Sequence, residues 1–152
     1  MTLADEQRHR FVAAARALVG RDFRHRGRFR DGGGGDCVGV VVVAERAIGH
    51  EVTDRRRYGR NPANDGLREA LVAHFGPPIT DAPQAGDVPL FAWWDDACNR
   101  TPNHVGILFD HPNGGLAVVH ALAQHKRVIE HSLDADTRKR IVAVFRPWRA
   151  AE

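Results

Sequence analysis

With 152 residues, a formal net charge of +3 and 43% apolar side chains, the chain has the size of one folded domain, 1–152, able to bury roughly two-thirds of its unfolded surface without covalent staples. Its two cysteines, Cys37 and Cys98, lie far apart and form no CxxC pair, which excludes a disulfide framework or a zinc knuckle and points to folding in a reducing compartment. No apolar run approaches the ~18 residues of a membrane span, and Met1 to Arg10 lack the apolar core of a secretory signal, so no membrane partner is expected.

Residues 4 to 18 place Phe11, Val12, Ala15 and Leu18 at helical spacing, with Gly20 as the stop. From Arg21 to Gly35 there is no period, which predicts a loop with a short extended piece near Phe23. Arg24, Arg26, Arg28 and Arg30 alternate before the four glycines, and Arg55, Arg56 and Arg57 form a block. An anionic partner, nucleic acid or an acidic cell-wall polymer, is one reading of such runs; a solvated face is the other. The absence of interleaved stacking aromatics favours the solvated face and argues against nucleic acid.

Cys37 to Ile48 is rich in β-branched residues, yet Asp36 as N-cap, Glu45 and Arg46 further on, and Gly49 just past the end predict a helix buried on most sides. Leu67, Ala70, Leu71 and Phe75 mark a third helix closed by Gly76-Pro77-Pro78. Strands follow at Asp87 to Trp93, His104 to Asp110, Leu116 to Leu122, Arg127 to Ser132 and Ile141 to Arg146. Helices first and antiparallel strands afterwards define an α+β domain.

Cys37 stands where a glycine-rich loop becomes a helix, so backbone N–H groups and the helix dipole favour its thiolate. A thiol nucleophile needs a base and a group that orients the base. Among nine histidines, His104 and His120 are singled out by their strands. With His104 opposite His120 and Leu108 opposite Leu116, the two imidazoles are neighbours on one face; a two-residue turn at Asn113-Gly114 would separate them, so a longer loop or a bulge between Phe109 and Leu116 is required. Gly106, beside His104, is expected to leave room for the cysteine helix. The other histidines, His131 among them, lie in loops, on helix faces or at a strand end. Cys37, Cys98, His104 and His120 lack zinc-ligand spacing, so no metal is expected.

Taken together, Ala15-Arg16-Ala17-Leu18-Val19-Gly20, Phe23-Arg24-His25, Asp36-Cys37-Val38-Gly39, Ala85-Gly86-Asp87-Val88, Asn103-His104-Val105-Gly106-Ile107, Val119-His120-Ala121 and Val144-Phe145-Arg146-Pro147 resemble the NlpC/P60 cysteine peptidases, in the short form carried by phage tails and gene transfer agents. The resemblance implies a papain-like fold in which the nucleophile helix packs on an antiparallel sheet. It implies Cys37 as nucleophile, His104 as general base and His120 as its orienter, with no cofactor. It implies peptidoglycan stem peptides as substrate, commonly cut between D-glutamate and a diamino acid, and phage-tail or gene-transfer-agent tail proteins as partners. Synthesis without a leader and action at the cell wall or periplasm within a phage-like particle follow from it. A non-catalytic tail or wall-binding module and an amidase or acyltransferase are the alternatives on the same fold.

Relatives place a tyrosine hydroxyl at the oxyanion site, where this chain has Phe23 and His25. His25, Phe23, Asp36 and Tyr58 are therefore the candidate oxyanion and substrate-binding residues. Tyr58, the third helix and Trp93-Trp94 are expected to wall the groove, and a Cys37–His104 ion pair is expected before substrate binds.

Overall fold

The computed structural model describes residues 2–52, 66–93 and 102–149; Tyr58, Trp94, Cys98 and the Arg55–Arg57 block lie outside the described residues. The first helix, α1 (Leu3–Arg16), opens on a capping box: the Thr2 hydroxyl accepts from the Asp5 N–H at 3.1 Å, and the Asp5 carboxylate accepts from the Thr2 N–H at 3.0 Å. The face carrying Phe11 and Ala15 is buried.

The next helix, α2 (Cys37–Ala47), starts at Asp36, whose side chain accepts from the Gly39 N–H at 2.9 Å, and ends before Gly49, which takes the left-handed φ of +79°. Cys37, Gly39, Val40, Val41, Val42, Ala44 and Glu45 are all buried, as a central helix requires. Gly39 is a packing residue: a Cβ there would lie 2.5 Å from the carbonyl oxygen of Gly27.

Glu45, near the end of α2, is a carboxylate inside the protein. It is buried, and its Oε2 is 2.9 Å from His50 Nδ1 and 3.2 Å from His74 Nε2. His74 belongs to α3 (Leu67–Phe75), which also seats Leu67 and Leu71 in the main core. Glu45 lies eight residues beyond Cys37, about 12 Å along the helix axis at 1.5 Å per residue. The third helix therefore braces the far end of α2 through His74.

Among the described residues six strands follow: β1 (Val88–Phe91), β2 (His104–Val105), β3 (Ile107–Asp110), β4 (Leu116–Leu122), β5 (Arg127–Ser132) and β6 (Ile141–Phe145), with a short helix α4 (Ala135–Lys139) before β6. All pairings are antiparallel, in the orders β2-β1-β6 and β3-β4-β5. The two sheets are stitched together where residues 86–89 meet 106–108: the Gly86 N–H donates to the Leu108 carbonyl at 2.8 Å and the Leu108 N–H to that of Asp87 at 2.9 Å. One face of this surface meets α1 and α2 through Val88, Leu90, Val105, Ile107, Val119 and Phe145; the other buries Phe91, Leu108, Val118 and Leu133.

The predicted strand from His104 is interrupted at Gly106, and its halves join different sheets. The β3–β4 register also differs by two residues from the expected one, since Leu108 faces Val118. An even shift keeps every side chain on its face. The loop is the longer one required: residues 111–115 close with the His111 N–H donating to the Gly115 carbonyl at 3.0 Å, and Gly114 and Gly115 take φ of +99° and +74°.

The motifs around Asp87 and Arg146 meet in space. Arg146 Nε donates to Asp87 Oδ1 at 2.8 Å and its Nη2 to Oδ2 at 2.9 Å, a buried two-pronged pair joining the start of β1 to the end of β6. Asp81 receives Arg146 Nη1 at 2.8 Å.

Candidate active site

The loop before α2 is built around Asp36. Phe23 pairs with Gly35 in parallel and Arg28 with Gly35 in antiparallel fashion, which folds residues 22–29 against the start of the helix. The Asp36 carboxylate accepts from the Gly39 N–H, from the Arg26 N–H at 2.9 Å and from Arg28 Nη1 at 3.1 Å. Those partners make Asp36 the group that fixes the helix start. Arg28 is buried, unlike exposed Arg24, Arg26 and Arg30, so the arginine stripe is not one uniform solvated face. Phe23 is half-buried against the main core, and His25 is half-buried in the turn beyond it.

Cys37, the first residue of α2, is buried with its sulfur toward the backbone N–H groups of Val38 and Val105. Val105 follows His104, so helix and sheet converge on the sulfur as expected. Burial is the main influence on the thiol and pushes it up to about 12, helped by the Asp36 carboxylate; the two N–H groups and Arg28 oppose this without overcoming it. Burial pulls His104 down to about 3. Burial therefore favours a thiol and a neutral imidazole, and works on both partners against the expected ion pair and against the helix-start dipole.

His104 and His120 are brought together. His104 Nε2 lies 2.8 Å from His120 Nδ1, with ring centroids 5.0 Å apart. Gly106 makes this approach possible, though not in the way the sequence suggested: a Cβ there would stand 2.8 Å from Val118 Cγ2 and 3.2 Å from His120 Cβ, so the missing side chain admits β4 rather than α2. Trp93 packs on both rings, at 5.3 Å from His104 and 5.1 Å from His120. Its backbone N–H donates to Asn103 Oδ1 at 2.7 Å, and Arg140 Nη1 donates to its backbone carbonyl at 2.6 Å.

A third histidine extends the row. His120 Nε2 is 2.8 Å from His131 Nε2, and His131 Nδ1 is 2.9 Å from the Ser132 carbonyl oxygen. His131 faces Val118 in the β4–β5 ladder, diagonal to His120, which faces Ile129. Pairing those two strands across the turn at residues 123–126 would have disclosed it. His120 is held well below the ordinary histidine range by burial first, then by the neighbouring His104, His131 and His125. Among the described residues no group of His, Cys, Asp or Glu is placed to hold a metal ion.

No protein-family model matches this sequence, and no curated protein does either. Among solved structures the chain is similar to a lipoprotein-like protein of the NLP/P60 family from Staphylococcus aureus subsp. aureus Mu50, with a TM-score of 0.63 at 16% identity. The match covers 94% of this chain and 42% of that one. The fold is thus a mixed α+β one shared with an NLP/P60 family protein, which supports the papain-like arrangement of a cysteine helix against an antiparallel sheet.

Proposed function

We propose that this chain is a cysteine peptidase that hydrolyses peptidoglycan stem peptides, with Cys37 as nucleophile, His104 as general base and acid, and His120 as the group that orients His104. The observation that carries this reading is the 2.8 Å contact between His104 and His120 beside a helix-start cysteine whose sulfur faces the Val105 N–H. His104 Nε2 is engaged with His120, so Nδ1 is the nitrogen available to the thiol.

Because the resting pair is neutral, the thiol proton passes to His104 as sulfur attacks the carbonyl carbon, and the same proton then goes to the leaving amine. Water, activated by His104, releases the acyl group and restores the thiol. The Cys37 backbone N–H is the oxyanion donor, with His25 taking the part of the tyrosine hydroxyl that Phe23 does not supply; one such donor is worth about 2.7 to 4 kcal/mol.

The bond between D-glutamate and a diamino acid is the target, and delivery to the wall or periplasm is by a phage-tail or gene-transfer-agent particle. Digestion of purified sacculi by wild type and by Cys37→Ala, with released muropeptides identified by mass, tests the reading. Fragments ending in D-glutamate support the endopeptidase; whole stem peptides freed from glycan support the amidase chemistry instead. Identical digests would leave a non-catalytic wall-binding module.

A further inference from the structure

We infer that His131 is a positioning residue that fixes which nitrogen of His104 is free to act as base. The inference rests on the peptidase reading for its consequence, but its geometry stands independently. A carbonyl oxygen only accepts, so the 2.9 Å contact between His131 Nδ1 and the Ser132 carbonyl requires a proton on Nδ1. A neutral His131 then has an unprotonated Nε2, and the 2.8 Å contact to His120 requires His120 Nε2–H to donate to it.

The constraint passes inward. His120, protonated on Nε2, has a bare Nδ1, so across the next 2.8 Å contact His104 Nε2–H is the donor. His104 Nδ1 is then bare, the state a general base needs. The direction of every N–H along the row is thus set by one backbone carbonyl at the end of β5. Without that anchor, His120 and His104 have two self-consistent arrangements, and in the second the proton sits on His104 Nδ1, where it blocks acceptance from the thiol. His120 and His104 are both buried, which denies them the water that would otherwise offer other partners. Asp134 and His125 also bring charge to this end of the row.

The test uses two substitutions that differ only in what they offer His120. His131→Phe removes the acceptor, while His131→Glu restores an obligatory one. Ring-nitrogen NMR on protein with ¹⁵N-labelled histidine reads the tautomers without any substrate. Wild type and His131→Glu are expected to show pyridine-type Nδ1 and pyrrole-type Nε2 at His104, and His131→Phe a mixture of both arrangements. In turnover, kcat of His131→Phe is expected to fall in proportion to the reversed fraction that the spectrum shows, about two-fold for an even mixture, with KM unchanged, and His131→Glu to recover that loss. A protonated His104 Nδ1 in wild type, a His131→Phe spectrum like wild type, or a Glu variant no better than Phe would overturn the inference. If no variant, wild type included, turns over any substrate while the tautomers behave as described, the peptidase reading fails and the positioning role stands.

Discussion

The neutral resting state of Cys37 and His104 makes a measurable forecast. Cys98 is replaced by serine so that one thiol remains, and absorbance of the thiolate at 240 nm is followed against pH, with Cys37→Ala in the same background as the blank. With the thiol pushed up to about 12, only about one molecule in a thousand carries the thiolate at pH 9, whereas an ordinary cysteine near 8.5 is mostly ionised there. The difference spectrum is therefore expected to stay flat from pH 5 to pH 9. His104→Ala is expected to leave it flat, because burial and not the imidazole dominates the thiol. A thiolate plateau between pH 5 and pH 8 that His104→Ala abolishes would refute the reasoning and restore an ion pair.

Buried histidines also set an acid limit. His104 titrates near 3 when folded against 6.5 unfolded, so the unfolded chain takes up a proton that the folded one does not, and stability is lost as pH falls below 6.5. About 2 kcal/mol from His104 is gone by pH 5, and His120 acts with the same sign; urea midpoints at pH 7 and pH 5 measure it, and His104→Gln should flatten the dependence. Asp87→Ala leaves the buried Arg146 head without its two-pronged partner and is expected to cost about 3 to 5 kcal/mol in chemical denaturation. Gly106→Ala pushes a methyl toward Val118, Val119 and His120 and is expected to cost about 1 to 3 kcal/mol, with a larger proportional loss of activity than of folded protein.

Much of the scaffold was readable because local chemistry and tertiary demand agreed. Asp36 and Gly49 bound α2 as a cap and a left-handed stop should, and alternation along β3 and β4 placed His120 on the right face even though the register was two residues off. Disagreements arose where a long-range partner reversed a local preference. Glu45 is a charged residue near a helix end, yet its carboxylate is buried and met by His50 and His74. Arg28 looks like its exposed neighbours, but Asp36 draws it inward. Helix α4 is only five residues long and is announced by little more than Asp134 accepting from the Thr137 N–H. His131 escaped notice because its significance lies in a diagonal neighbour across β4 and in a backbone carbonyl, neither of which a strand-by-strand inspection of residue types reveals. The helix start singles out Cys37 in the sequence, but sequence position carries no measure of how deeply the sulfur is buried.

The central claim is that the Cys37 sulfur forms the covalent bond to substrate. Acid-quenching the protein during turnover of a stem-peptide substrate, followed by intact mass and fragment mapping, tests it most directly. An acyl adduct on the fragment containing Cys37, absent in Cys37→Ser, is the predicted result. Turnover that persists in Cys37→Ala, or an adduct mapped to any other residue, would contradict it.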